Sequence, residues 1–358
     1  MWKPESPFVI PVFIPHSGCP HQCVFCNQVS ITGVSAGIPS SETIHKEIKQ
    51  FLSYQHKHRQ MIQIAFFGGN FLGLCPGDIK RLLTDATRYV ISGQADNIRF
   101  STRPDTITRD NLDLIKPFPV TTIEIGAQSM DDRVLGMSKR GHTAMDTTQA
   151  AMRLKENRYE TGIQMMTGLP GDTEKMTMES AIKIAALEPD FVRIYPTVVI
   201  AKSPLAVSYK KNEYTPLSLE ESIALVKKLY LYFGKYQIRV IRMGLQADKD
   251  LEKESSILAG PYHPAFGQLV FSAIFLDMIS ELFEKNPEIL SEGGLEIHVH
   301  PKHISTMRGQ HNCNINHLKR TCPFSSYAVL PDMSLASDEI RVGNNRIRMS
   351  TFIKTILN

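Results

Sequence analysis

The chain of 358 residues has no uninterrupted apolar run approaching the roughly 18 residues of a membrane-spanning helix, so no membrane partner is expected. Its start, MWKPESPFVIPVF, lacks a basic stretch followed by a clean apolar one, so no secretory leader is expected there. Surplus charge is small as well. Forty Lys and Arg against 36 Asp and Glu leave a formal net charge of +4, which by itself argues for no nucleic-acid partner. Internal repeats and low-complexity linkers are absent, which argues against a solenoid or an array. Cysteine is scarce. Six in a chain this long make no disulfide scaffold, and their clustering points to ligands in a reducing, cytoplasmic compartment. With 42% hydrophobic and 21% charged residues, the composition is that of a globular chain able to bury a large core.

What is present is concentrated near the start. Three of the six cysteines fall within eight residues, as Cys19-Pro-His-Gln-Cys23-Val-Phe-Cys26. Thiolates are soft ligands that suit iron–sulfur clusters and zinc. The spacing can hold three irons of a four-iron cluster and leave the fourth open to bind and reduce a cofactor. The competing reading is a structural zinc knuckle, with His21 or His16 as fourth ligand. Phe25 gives the motif an apolar neighbour that excludes water and tunes a cluster's potential. Cys75 is isolated and reads as packing. Cys313 and Cys322 read as ordinary thiols or a redox pair.

Hydrophobic periodicity alternates between strand and helix along the first 250 residues. Strands are expected at 8–14, 62–69, from Asn97, from Thr121, and at 162–171, 191–199 and 238–242. Helices are expected between them at 42–54, 76–90, 144–157, 173–187 and 218–233. Pro11 assigns the first strand to an edge or makes it irregular. At least six strand–helix repeats predict an α/β fold, a parallel sheet closed wholly or partly into a (β/α) barrel, with a doubly wound sheet as the other solution. After residue 250 the rhythm changes to a helix at 266–283, a strand in GGLEIHVHP, a polar, partly helical stretch at 307–320, and a tail that adds a final strand. Two domains follow, a barrel at 1–250 and a smaller C-terminal α/β unit at 251–358.

Several blocks together resemble one family. IPHSGCPHQCVFCNQ (14–28), AFFGGNFLGL (65–74), FSTRPD (100–105), IEIGAQSMDDRVLGMSKRGHT (123–143), MMTGLPGDT (165–173), VRIYPTVVIAKSPL (192–205), YHPAFGQLV (262–270) and VHPKHISTMRGQHNCNINHLK (299–319) span nearly the whole chain. The three-cysteine motif resembles that of the radical S-adenosylmethionine (SAM) superfamily. The Arg140-Gly141-His142-Thr143 and HPAFG blocks resemble the radical domain of the Elongator catalytic subunit and its shorter bacterial homologues.

The resemblance implies roles. Cys19, Cys23 and Cys26 would hold a [4Fe–4S] cluster, and the methionyl group of SAM would chelate its free iron. Gly68, Gly69 and Asn70 stand where the superfamily carries a Gly-Gly-Glu-like segment against the methionyl amine, with Asn70 replacing the usual acid. Arg103, Glu124 and Gln128 would face the cofactor's carboxylate and ribose. Gly168, with Gly171, brackets the expected adenine position, and Tyr195 is a packing contact near it. Lys139, Arg140, His142, Arg193, Lys202, Arg239, Arg242, Lys302 and Arg308 are cationic groups that would meet tRNA phosphates. A reducing electron donor is a further expected partner.

The implied activity is hydrogen abstraction by a 5′-deoxyadenosyl radical, in wobble-uridine modification of tRNA. The Elongator relatives carry an acetyltransferase-like domain after the radical domain, and this chain is expected to act without one. Two other functions stand beside the first. One is a radical enzyme acting on a small metabolite or a protein. The other is a non-enzymatic metal-binding or nucleic-acid-binding module.

Overall fold

The computed structural model describes residues 7–27, 37–54, 61–245, 256–291 and 293–356. The expected boundary near residue 250, the first six residues and the end of the cysteine block at Gln28 lie outside the described residues.

The chain forms two compact units, one of Lys3–Ser218 with Val240–Tyr262 and the other including Leu219–Arg239 and His263–Asn358. The units therefore alternate along the sequence. Leu219–Lys235, which follows the barrel rhythm in sequence, groups with the C-terminal unit.

The first unit is built on the strands β1 (Phe8–Phe13), β2 (Ile62–Phe67), β3 (Asn97–Thr102), β4 (Val120–Gln128), β5 (Glu160–Thr167) and β6 (Phe191–Pro196). A short β7 (Val199–Ile200) and then β8 (Arg239–Met243) follow, and β9 (Ile257–Ala259) pairs antiparallel with β7. The large sheet runs β1-β2-β3-β4-β5-β6-β8, and the pairs from β1 to β6 are parallel. A doubly wound sheet needs a reversal of strand order, and this order never reverses. Successive crossovers of one hand then curl the sheet into a barrel, which stays open because β1 and β8 are not neighbours. Pro11 lies in β1, at the edge, where a missing N–H is tolerated.

The strands follow the period of two. Ile98 and Phe100, Ile123 and Ile125, Ile163 and Met165, and Val192 and Ile194 are buried on one face. The intervening Arg99, Glu124, Gln164 and Arg193 come from four adjacent strands and meet on the other face. Helices Ser41–Ser53, Pro76–Ile91, Ala144–Glu156 and Glu174–Ala186 separate the strands. Each has a local start signal. Ser40 caps the first, Pro76 opens the second, Thr143 and Asp146 form a capping box on the third, and Thr173 caps the fourth.

The second unit has a four-stranded sheet of β10 (Gly294–Val299), β11 (Ser326–Pro331), β12 (Glu339–Val342) and β13 (Asn345–Arg348), in the order β11-β10-β12-β13. The tail, expected as one strand, is the β12–β13 hairpin followed by the helix Met349–Ile356. Helix Phe266–Lys285 is long and apolar enough to cross a membrane by length and composition. Val270, Ile274, Phe275, Met278, Ile279 and Leu282 are nevertheless buried in the unit's own core, which accounts for the apolarity.

Candidate active site

Cys19, Cys23 and Cys26 lie in the loop after β1, at the end of the sheet where the parallel strands finish. In a parallel barrel that end carries the ligand-binding loops. The loop is held there first by backbone contact with the β2 exit. Ile14 N–H donates to Phe67 O at 2.8 Å, and Asn70 N–H donates to Ser17 O at 2.8 Å. The approach is too close for side chains. A Cβ on Gly69 would stand 2.5 Å from Ile14 O and 2.6 Å from Ser17 O, and one on Gly18, whose φ is +71°, would collide with Asn70 O.

Asn70 is the fastening of this seam. Its amide Nδ2 donates to Gly18 O at 2.8 Å. Its Oδ1 accepts from Thr102 Oγ1 (2.7 Å), Thr106 Oγ1 (2.9 Å) and Arg103 N–H (3.0 Å). The side chain is fully buried. An amide is required at this position, because a carboxylate could not donate to the Gly18 carbonyl. The side chain of Asn70 thus ties the cysteine loop to the exit of β3.

The far side of the loop is fixed by three further bonds. Val24 N–H donates to Ser138 O (3.1 Å), Leu205 N–H to Val24 O (2.8 Å), and Asn27 Nδ2 to Ala201 O (2.9 Å). Val24 and Phe25 pack against Val199, Leu205 and Ala206, with Tyr209 and Tyr214 beside them. Phe25 therefore has the apolar surroundings that its position in the motif suggests.

Arg140 reaches the loop from the turn after the helix Asp132–Met137. Its Nη1 donates to Cys23 Sγ at 3.3 Å and its Nη2 to Gly126 O at 2.6 Å. Its own carbonyl accepts from Arg103 Nη1 at 2.6 Å. Arg140 and His142 are both buried, which corrects their reading as cations able to meet tRNA phosphates. The His142 Nε2–H donates to Ala127 O at 3.2 Å. Burial, reinforced by Arg140 and Arg103, pushes its pKa down to about 3, so the ring is neutral at pH 7. Burial pushes the Cys19 thiol up, with Arg140 pulling in the opposite direction.

The other expected site residues divide into two groups. The buried Arg103 pairs with the exposed Asp105 through Nε (2.9 Å) and Nη2 (3.0 Å), so its charge already has a partner. Glu124 is fully buried and is bound by Arg99, Gln164 (2.8 Å) and Arg193 (2.9 Å). Burial pushes this carboxyl up, but Arg193, Arg99 and Gln164 outweigh it and hold the pKa below its usual value. Arg193 is thereby committed inside the barrel, and its Nη1 also donates to Tyr195 Oη at 3.3 Å. Arg103 and Glu124 are thus enclosed by protein partners.

Gln128, Gly68 and Gly168 differ from them. Gln128 ends β4 at a register shift with a φ of +67°, a conformation rarely held by a non-glycine residue and one that clusters at functional sites. Gly68 turns the β2 exit at a φ of +94°. Gly168 turns the β5 exit at +71°, donating its N–H to Asp172 (3.1 Å) and accepting from Tyr214 Oη (2.6 Å).

Three thiols in one short loop are soft donors of the kind a four-iron cluster takes. Among the described residues no three His, Cys, Asp or Glu side chains gather as they would around one ion. Cluster cysteines bind different irons and need not converge on a point. A cationic N–H donor on Cys23 suits a sulfur that carries negative charge.

Comparison with known proteins agrees with this geometry. A family model for the Radical SAM superfamily matches residues 13–183, and one for the Radical SAM C-terminal domain matches residues 189–274. An uncharacterized protein of Methanocaldococcus jannaschii is 29% identical over 254 residues, covering 68% of this chain and 76% of that protein. The tRNA uridine(34) acetyltransferase of the same organism is 26% identical over 259 residues, covering 61% of this chain and 47% of that one. The chain thus spans about half the length of that relative. Among solved structures, the Elp3 of Methanocaldococcus infernus with an N-terminal deletion superposes with a TM-score of 0.59 at 22% identity. It covers 75% of this chain and 63% of that one, and shows a shared fold. Membership implies catalysis with SAM and a [4Fe–4S] cluster, which sets aside a purely binding module. The chain belongs to the radical SAM superfamily, and within it resembles the Elongator catalytic subunit.

Proposed function

We propose that Cys19, Cys23 and Cys26 hold the [4Fe–4S] cluster, that its remaining iron binds SAM, and that the substrate is the wobble uridine of tRNA. The observation that carries the site is the cysteine loop itself, fastened on both sides at the mouth of the barrel with a buried guanidinium on one thiol. Held by Cys19, Cys23 and Cys26, a reduced cluster would supply the electron for reductive cleavage of SAM, the chemistry by which this superfamily abstracts hydrogen from unreactive carbons. The protein positions and shields. Asn70 and the glycine seam orient the loop, and Val24 and Phe25 keep water from it. Gly68 and Gly69 offer backbone to the methionyl amine, Gln128 its amide to the ribose, and Gly168 and Tyr195 a wall near the adenine. Arg103 and Glu124 act at one remove, by holding the turn and the strands on which these groups stand.

The tRNA assignment draws support from relatives named as tRNA uridine(34) acetyltransferases and Elongator complex protein 3. One observation favours a small-molecule or protein substrate instead. Arg140, His142 and Arg193, expected to face phosphates, turn into the barrel, which leaves fewer cations for an RNA surface.

Two experiments decide between these. Anaerobic reconstitution with SAM and dithionite should yield 5′-deoxyadenosine and methionine from the wild-type protein and none from Cys23→Ala. A Cys23→Ala protein that kept full iron and turnover would reject the ligand assignment. Mass spectrometry of tRNA nucleosides from deletion and complemented cells should then show a modified uridine restored by the gene. An unchanged nucleoside profile with an altered metabolite profile would select the small-molecule reading.

A further inference from the structure

Arg140 stands beside the cysteine loop. It is buried, and among the described residues no carboxylate forms an ion pair with it. The nearby Arg103 shows the contrast, since Asp105 holds it through two bonds. Arg140 Nε is also buried without an acceptor. A buried cation is costly unless an anion meets it. The guanidinium is nevertheless aimed with care. Nη2 is pinned by Gly126 O, and a Cβ on Gly126 would crowd that nitrogen at 2.9 Å, so the strand leaves room for it. The backbone is pinned by Arg103, and Nη1 points at Cys23 Sγ.

We propose that Arg140 is a positioning residue that sets the reduction potential of the cluster, by donating a charged N–H to the Cys23 sulfur. The inference rests on the cysteine loop holding the cluster. Reduction adds one negative charge, spread partly onto the cysteine sulfurs. A fixed cation and N–H donor stabilise that reduced form more than the oxidised one, so they raise the potential and ease electron entry. The missing anion of Arg140 is then the cluster's own charge, which explains why no carboxylate was placed there.

The test compares wild type, Arg140→Gln and Arg140→Lys after anaerobic reconstitution, with iron and sulfide counted before potentials are measured by redox titration. Arg140→Gln should keep its iron but titrate at a more negative midpoint potential, and Arg140→Lys, which keeps the charge and a donor, should recover part of the shift. A merely structural arginine would lower the melting temperature in Arg140→Gln and leave the potential unchanged, and that result would overturn the inference. In case Arg140→Gln does not fold, the wild-type protein carrying guanidino-15N arginine should show a nitrogen coupling to the reduced cluster by pulsed EPR, and its absence would also overturn the inference. A wild-type chain that took up no iron would sink the cluster reading and this inference together, whereas full iron with an unmoved potential would sink this inference alone.

Discussion

The barrel contains two buried groups of arginines, and they are satisfied in different ways. In the middle of the sheet, Arg99 and Arg193 close on Glu124, with Gln164 filling a further lone pair and Gln63 accepting from Arg99. At the mouth, Arg103 closes on Asp105, while Arg140 closes on the Gly126 carbonyl and the Cys23 sulfur, with no carboxylate among the described residues. The first group is complete within the protein and reads as framework. In the second, Asp105 balances Arg103, and Arg140 gains an anionic partner only with the proposed cluster in the cysteine loop. Charge balance separates them, although both are buried and polar.

Breaking the closed group should have the largest effect on stability and the smallest on the site. Glu124→Gln leaves Arg99 and Arg193 without their carboxylate and should cost about 3–5 kcal/mol in urea unfolding. The fraction that still folds should bind iron as the wild type does, and loss of iron from that fraction would show that Glu124 belongs to the site after all. Gly18→Ala drives a Cβ into the Asn70 carbonyl at a left-handed backbone position and should cost about 2–3 kcal/mol. Here iron uptake should fall with stability, because the same seam holds the cysteines.

A pH titration of the cluster-free protein addresses the mouth more gently. His142 has a native pKa near 3 against an ordinary 6.5, so the native chain binds fewer protons than the unfolded one below pH 6.5. The stability this represents is present above 6.5 and is lost as pH falls toward 3, by about 2 kcal/mol between pH 6.5 and 5. His142→Gln, which can still donate to Ala127 O, should flatten that part of the profile in chemical denaturation. Smallest of all, Tyr195→Phe removes only one acceptor of Arg193 at a half-buried position and should cost about 1 kcal/mol or less. A larger loss, or a raised KM for SAM, would place Tyr195 against the cofactor.

Much of the fold could be read from local patterns. The alternation of strand and helix, the edge position implied by Pro11 and the cysteine spacing all depend on neighbours in sequence. The helix Leu219–Lys235 could not be assigned this way, since its apolar stripe says only that one face is buried, and here it is buried in the C-terminal unit. Arg140 was legible as a residue worth noting, inside a block like that of Elongator, but its sequence neighbours Lys139 and His142 made it look like part of a surface cluster. Asn70 was legible as a departure from an acidic residue. The reason for an amide became visible only with Gly18 O, 52 residues earlier, in contact with it.

The sequence by itself determined which atoms can do chemistry, three thiols at a spacing suited to a cluster and glycines where the chain must turn sharply. These are properties of short segments, and short segments fold by local sterics and hydrophobic period. Only the tertiary structure decided which charges are balanced. That depends on groups 25 to 117 residues apart, such as Arg99 with Glu124 and Arg140 with Cys23, being brought within hydrogen-bond reach. In a medium of low polarity a paired arginine is part of the frame, and one left short of an anion marks where a ligand belongs.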